Sequence, residues 1–304
     1  MSGRQVVVLG TASQVPTRHR NHNGYFLRWD GQGFLFDPGE GTQRQMIMAG
    51  VKAHGIHHIC VTHFHGDHCL GLAGLVQRIS LDGVPHDVRV HYPASGQVFF
   101  ERLRHASIFH DRSRIVPCPI TGPGVLHEEP ALRLRTLPLR HSAPCYGFRV
   151  EEPDGRRMLP EKLREAGIRG PAVSQLQAEG ELWVDGRRIG LEDVSEARPG
   201  QSVAIVMDTS RCPEAIELAR NVDLLVIEST YLDSEAHEAE ERGHLTARQA
   251  AQIAVDAGAR RVVLTHFSQR HPDTQAFVDE AAQVHPDVHA AEDGQSFDLP
   301  ARRR

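Results

Sequence analysis

No run in this 304-residue chain approaches the roughly 18–20 consecutive apolar residues that a membrane helix needs. The N-terminal MSGRQVVVLGTASQVP holds only a short apolar stretch and lacks the apolar core of a secretory signal, so the chain is expected in the cytoplasm, off the membrane. Cysteine is scarce and odd in number. Cys60, Cys69, Cys118, Cys145 and Cys212 match no paired zinc module and exclude a disulfide framework, and unpaired thiols suit a reducing compartment. Positive charge is not in excess either: 34 Lys and Arg face 39 Asp and Glu, a net charge of −5. A wholly basic nucleic-acid coat is thereby excluded, and any RNA must be met by a local basic patch or by metal ions. There is no internal repeat and no low-complexity tract. What is plentiful is histidine, with 20 residues, and apolar side chains at 40%, enough for one large domain with a substantial core.

Short hydrophobic runs alternate with helical patterns. Residues 5–9 (QVVVL) read as a strand closed by Gly10, and 25–29 and 33–36 as two more joined through Asp30-Gly31, a hairpin signal. Residues 42–49 read as a short helix stopped by Gly50, and 70–79 carry a helical stripe. Three later runs share one form: Ser202–Val206 stops at Asp208, 223–227 at Glu228, and Arg261–Thr265 at His266. Such continuous apolar runs suit strands buried on both faces, and the loops at strand ends are where sites assemble. Pro213 opens one intervening helix; Thr246 with Gln249 forms the capping box of another, which Gly258 ends. The alternation specifies a layered α/β protein.

The densest chemistry is His63-x-His65-x-Asp67-His68, directly after the apolar run 56–62. Imidazole nitrogen and carboxylate oxygen are zinc ligands. Four metal-capable side chains within six residues have no packing role. A site for two ions needs more ligands than this. His141, Asp208 and His266 each close an apolar stretch. Singly, each is as readily a polar strand cap; together they supply the missing ligands.

HFHGDH at 63–68 matches the HxHxDH signature of the metallo-β-lactamase superfamily. Beyond it, the chain resembles the tRNA 3′-processing endoribonucleases, tRNase Z, along nearly its whole length. The matching pieces are LGTASQVPTRHRN at 9–21, FDPGEGTQ at 36–43, THFHGDH at 62–68, HSAPCYGFR at 141–149, DTSRCP at 208–213, LLVIESTY at 224–231, GHLTARQAA at 243–251 and LTHFSQRH at 264–271. The resemblance implies a single metallo-β-lactamase domain over 1–304, an αβ/βα four-layer sandwich with an inserted flexible arm at about 151–200. It implies two Zn2+ per subunit: His63, His65 and His141 hold one, Asp67, His68 and His266 the other, and Asp208 bridges them. Asp67 would orient the attacking water, and His244, positioned by Glu228, would protonate the leaving ribose oxygen. Precursor tRNA is the implied substrate and a homodimer the implied assembly, with a 3′-hydroxyl left on the tRNA and a 5′-phosphate on the trailer.

Ser268 and Arg270, just after His266, are candidates for binding phosphate. Arg18 and Arg20 lie in a loop resembling the family's PxKxRN loop, with Arg18 in place of lysine, and 244–246 resembles its HST loop with Leu245 in place of serine. Within the arm, residues 155–170 carry five basic and two acidic side chains, and Arg156, Arg157, Lys162, Arg164 and Arg169 form a cluster suited to phosphate. A basic run is also a common solvated face. Two rivals stay open. One is another hydrolase of this fold acting on a small phosphodiester or related ester, with no use for the arm. The other is a non-catalytic RNA-binding protein with structural zinc.

Overall fold

The computed structural model describes residues 3–302. They divide into two compact units, one that ends at Glu151 and resumes over Ser202–Pro300, the other built on Glu152–Gln201.

The larger unit holds two seven-stranded sheets. In the first, the order across the sheet is Ser296–Asp298, Gln5–Gly10, Gly24–Trp29, Gln32–Phe36, His58–Cys60, Val88–Pro93 and Ile115–Ile120. In the second it is Val288–Ala290, Arg261–Thr265, Leu224–Glu228, Ser202–Val206, Cys145–Glu151, Leu132–Leu139 and Gly124–Glu129. Each sheet is antiparallel on one side and parallel on the other. Strand alternation sorts the side chains into layers. Val6 and Val8 join Val203, Ile205, Val226 and Phe148 in a core between the sheets. Val7 and Leu9 face the other way, onto Leu72, Leu75, Val76 and Ile79 of the helix Leu72–Leu81. Ala204, Leu225 and Val262 likewise face Ala250, Ile253 and Ala254 of the helix Ala247–Ala257. Helix, sheet, sheet, helix is the expected αβ/βα sandwich. Among the described residues no helix is long and apolar enough to cross a membrane.

The local signals acted as the sequence predicts. Asp30 and Gly31 both take positive φ, 46° and 93°, as the tightest hairpin turn requires. Thr246 accepts from the Gln249 amide, completing the capping box. Two readings shift. The apolar run 56–62 is a strand only over His58–Cys60, because the Thr62 amide and hydroxyl leave the ladder to donate to Asp37, at 2.7 and 2.8 Å. The stripe expected over 70–79 is one helix, Leu72–Leu81; a short helix the sequence did not announce, Gly66–Cys69, precedes it, and between them the Gly71 amide donates to the Pro38 carbonyl, 2.9 Å away.

The smaller unit pairs Gly155–Met158 with Ser195–Arg198 and Glu181–Val184 with Arg187–Gly190, each antiparallel. Pro160 and Pro171 open its helices, Pro160–Glu165 and Pro171–Glu179. Leu163, Ile168, Leu176 and Val194 make its own small core.

Three imidazoles cluster between the two sheets, and of them only His127 reaches a carboxylate, Glu129, at 3.0 Å. His58 Nδ1 lies 3.0 Å from His91 Nε2, and the His127 ring is 4.7 Å from His58. Burial, then the neighbouring His91, His127 and Arg89, pushes His58 down to about 2. Burial, then His127 and Arg89, pushes His91 down to about 3. A histidine in the unfolded chain takes its proton near pH 6.5. Below that pH the unfolded state binds more protons, so the stability held in these neutral rings is whole above about 6.5 and is lost as pH falls toward 3. Urea unfolding should therefore show stability declining from about pH 7 to about pH 5, and His58→Gln should flatten that slope by up to about 1.4 kcal/mol per pH unit. An unchanged slope in the variant would refute this account.

Candidate metal centre

The site is assembled where strands end. His63 follows His58–Cys60, His141 follows Leu132–Leu139, Asp208 follows Ser202–Val206, Glu228 closes Leu224–Glu228 and His266 follows Arg261–Thr265. The turn 63–68 lies close because Gly39 lets it: a Cβ there would stand 2.2 Å from the Asp67 carbonyl oxygen. His266 takes a left-handed backbone, φ 61°, which is costly for a residue with a Cβ and marks a position held by its surroundings.

The Asp208 carboxylate is the centre of the arrangement and is 2% exposed. Its Oδ2 lies 3.6 Å from His63 Nε2 and 3.7 Å from His141 Nε2. Its Oδ1 lies 3.2 Å from both His68 Nε2 and His266 Nε2. His65 Nδ1 completes the first set, 2.9 Å from His63 Nε2 and 3.3 Å from His141 Nε2. Asp67 Oδ2 completes the second, 3.4 Å from His68 Nε2 and from His266 Nε2. His63, His65, His141 and Asp208 thus offer four ligand atoms within 4.8 Å of one another, and Asp67, His68 and His266 offer three. Asp208 Oδ1 is buried with no hydrogen-bond donor aligned on it. Nitrogen lone pairs converging on an orphaned carboxylate oxygen fit cations better than any hydrogen-bond network.

A further ring of groups aims the imidazoles. Thr62 gives its hydroxyl hydrogen to Asp37 and so accepts from His63 Nδ1 at 3.0 Å. Thr230 gives its own to Glu228, at 2.7 Å, and so accepts from His266 Nδ1 at 2.8 Å. Asp37 Oδ2 takes His68 Nδ1 at 2.8 Å, and the Gly243 carbonyl takes His141 Nδ1 at 2.9 Å. Each contact protonates the outer nitrogen and leaves the inner one free to bind a metal. Nothing local in the sequence marks Asp37, Thr62 and Thr230 as members of the site, although each stands inside a family-like motif: FDPGEGTQ, THFHGDH and LLVIESTY.

The electrostatics match. Burial alone raises an aspartate, but His266, His68 and His244 outweigh it and hold Asp208 well below the usual range. Burial likewise opposes ionisation of Asp67, and His68 and His266 override it. Burial lowers His68, yet Asp208, Asp67 and Asp37 together lift it well above its usual value. That is the pull a bound cation would satisfy. Burial and His68 keep His63 low, and burial keeps His141 low, so both stay neutral as ligands must. Glu228 is wholly buried and takes His244 Nδ1 at 2.9 Å. Burial depresses His244, but Glu228 and Asp208 push it up to about 9.

Comparison with known proteins places this geometry. Residues 17–159 match the model of the metallo-beta-lactamase superfamily, and 189–267 that of the beta-lactamase superfamily domain. The chain is 59% identical to the ribonuclease Z of Streptomyces avermitilis over 281 residues, covering 92% of each. It is 55% identical to that of Streptomyces coelicolor, covering all of both chains. The chain belongs to the ribonuclease Z family. Among solved structures it resembles human tRNase Z, short form, with a TM-score of 0.70 and 26% identity, covering 98% of this chain and 100% of the other. The two ligand sets, meeting at Asp208, form a dinuclear zinc site.

The other predicted residues are scattered around it. A cleft of about 840 Å³ over the metal set is lined by His65, Asp67, His141, Asp208, His244, Ser268 and Arg270. Arg270 stacks on Tyr231, 5.3 Å from the ring centre, and its Nη1 lies 3.1 Å from Glu238 and 3.3 Å from Glu235. Arg18 and Arg20 line a separate hollow of about 340 Å³. Arg20 is spent on the carbonyls of His271 and Pro272, at 2.8 and 2.9 Å. In the smaller unit Arg156 holds Ser195, Arg157 pairs with Glu196 and Arg164 with Glu161, while Lys162 and Arg169 are exposed.

Elemental analysis of the purified protein should give about two zinc ions per chain, and Asp208→Ala should lose both together rather than one. Asp37→Asn, which touches no ion, should weaken zinc binding by about 10- to 100-fold through His68. Retention of both ions by Asp208→Ala would contradict the shared-carboxylate geometry.

Proposed function

We propose that this chain is a zinc-dependent endoribonuclease that cleaves precursor tRNA at its 3′ side, leaving a 3′-hydroxyl on the tRNA and a 5′-phosphate on the trailer. The observation that carries the reading is the Asp208 carboxylate, facing a different histidine set with each oxygen, in a member of the ribonuclease Z family. His63, His65 and His141 would hold one zinc and Asp67, His68 and His266 the other, with Asp208 common to both. When bound, two zinc ions supply an acidified water and neutralise charge on the phosphoryl oxygens. The remaining steps belong to the chain's own side chains.

Asp67 is oriented by the Gln14 amide, which donates to its Oδ2 at 2.7 Å, so the carboxylate is fixed to align the attacking water and accept its proton. Water adds across the P–O3′ bond: its oxygen stays on phosphorus, and the departing ribose oxygen takes a proton. His244 lines the cleft and is held by Glu228, whose buried carboxylate favours the protonated ring, so it suits that donor role. Ser268 and Arg270, in the same cleft, would steady the phosphate, and Arg18 and Arg20 the acceptor end. The arm at about 151–200 would grip the tRNA body through Arg156, Arg157, Lys162, Arg164 and Arg169, and the active assembly would be a homodimer in the cytoplasm.

On a precursor tRNA, Asp67→Ala should abolish cleavage, and His244→Asn should lower kcat by about 10²- to 10⁴-fold with little change in KM. Replacing 155–198 by a short glycine linker should remove tRNA cleavage while a small aryl phosphodiester is still hydrolysed. A shortened protein that cleaves tRNA normally would argue for a hydrolase with no use for the arm.

A further inference from the structure

Beside the metal cleft lies an apolar hollow of about 290 Å³ that the proposed chemistry does not use. Phe64, Phe99, Pro93, Gly96, Ala143 and Pro144 line it, and His65 lines both it and the cleft, so the two adjoin at that side chain. Phe99 is 47% exposed, and its ring centre stands 5.8 Å from that of Phe64. Phe64 is seated against Tyr92, 6.0 Å away and edge-on. It also lies on Gly96, where a Cβ would come within 2.1 Å of the ring. The Arg102 guanidinium lies 6.0 Å from the Phe99 ring centre. An open aromatic ring, backed by a second fixed ring and flanked by a guanidinium, is how proteins hold an unstacked nucleobase without reading its sequence.

The position suits one occupant. Asp67, in the second ligand set, accepts from Gln14, and the chain runs on from there into the loop that carries Arg18 and Arg20. The apolar hollow instead borders the first set, next to His65 and just beyond His141 in the chain. A strand laid across both sets with its phosphate at Asp208 would have one flanking nucleoside toward the arginine loop and the other at Phe99. We propose that Phe64 and Phe99 form a stacking platform for the nucleobase on one side of the scissile phosphate, the side away from the 16–21 loop; this rests on the endoribonuclease reading above.

The test uses the full-length zinc-loaded enzyme and three precursor tRNAs: one intact, and two made abasic at the nucleotide on either side of the cleavage point. Phe99→Ala should lower kcat/KM on the intact precursor by about tenfold, whereas Phe99→Trp should keep it. One of the two abasic precursors should show the same loss with wild-type enzyme and no further loss with Phe99→Ala. Independent, multiplying losses would overturn the platform, as would a Phe99→Ala variant with wild-type kcat/KM. A change of oligomeric state on Phe99→Ala in sedimentation would overturn it too, showing the hollow to be covered by a second copy. If the wild type cuts no precursor at all, the endoribonuclease reading itself fails, an outcome distinct from these.

Discussion

A single buried carboxylate, Asp208, must be shared by two sets of imidazoles, and much of the molecule is arranged to make that tolerable. An ionised aspartate at 2% exposure is expensive unless cations or aligned donors surround it. Four Nε2 atoms stand within 3.7 Å of its two oxygens, yet no donor is aligned on Oδ1. The gap between nearness and alignment is what metal ions would fill. Removing Asp208 therefore does more than delete a ligand: it leaves two clusters of lone pairs facing each other with nothing between them.

The hydroxyls of Thr62 and Thr230 solve the same problem on opposite sheets. Each is hydrogen-bonded to a buried carboxylate, Asp37 or Glu228, and is left only with lone pairs to offer the histidine beside it. A threonine without that carboxylate would be free to rotate and donate, and the imidazole could then present an N–H to the metal side. Glu228 serves twice, since its other oxygen takes His244. The carboxylate that fixes one metal-facing ring also sets the charge of the proposed proton donor. Substitution at Glu228 is consequently expected to disturb both, with the two effects not additive.

Much of this was legible in the sequence because it was local. The 63–68 turn carries its ligands in one stretch, and Asp208, Glu228 and His266 each close a strand whose apolar run is unmistakable. What escaped was what depends on pairing across the fold. The roles of Asp37 and Thr230 exist only through His68 and His266, which lie 31 and 36 residues away. Ile115–Ile120 was unread as a strand because Pro117 and Pro119 break its pattern; it survives as an edge, where a missing N–H costs little. Composition also overstated the free charge of 155–170, because three of its arginines are held by neighbours that the sequence alone does not reveal.

That accounting bears on how an acidic chain meets a polyanion. At the cleft, Arg270 is balanced by Glu235 and Glu238, while Arg20, in the neighbouring hollow, is turned onto backbone carbonyls and away from the opening. Glu235 is itself anchored by His271 at 2.7 Å and by the Leu232 amide at 3.1 Å, which makes it the fixed partner, while Glu238 is half-buried on its helix and is the more easily displaced of the two. An incoming phosphate would therefore exchange with Glu238 rather than find a bare arginine. With Arg270 already paired, the strongest positive charge in the cleft would be the metals' own, and the carboxylate that keeps them together also governs how firmly the cleft attracts a phosphodiester.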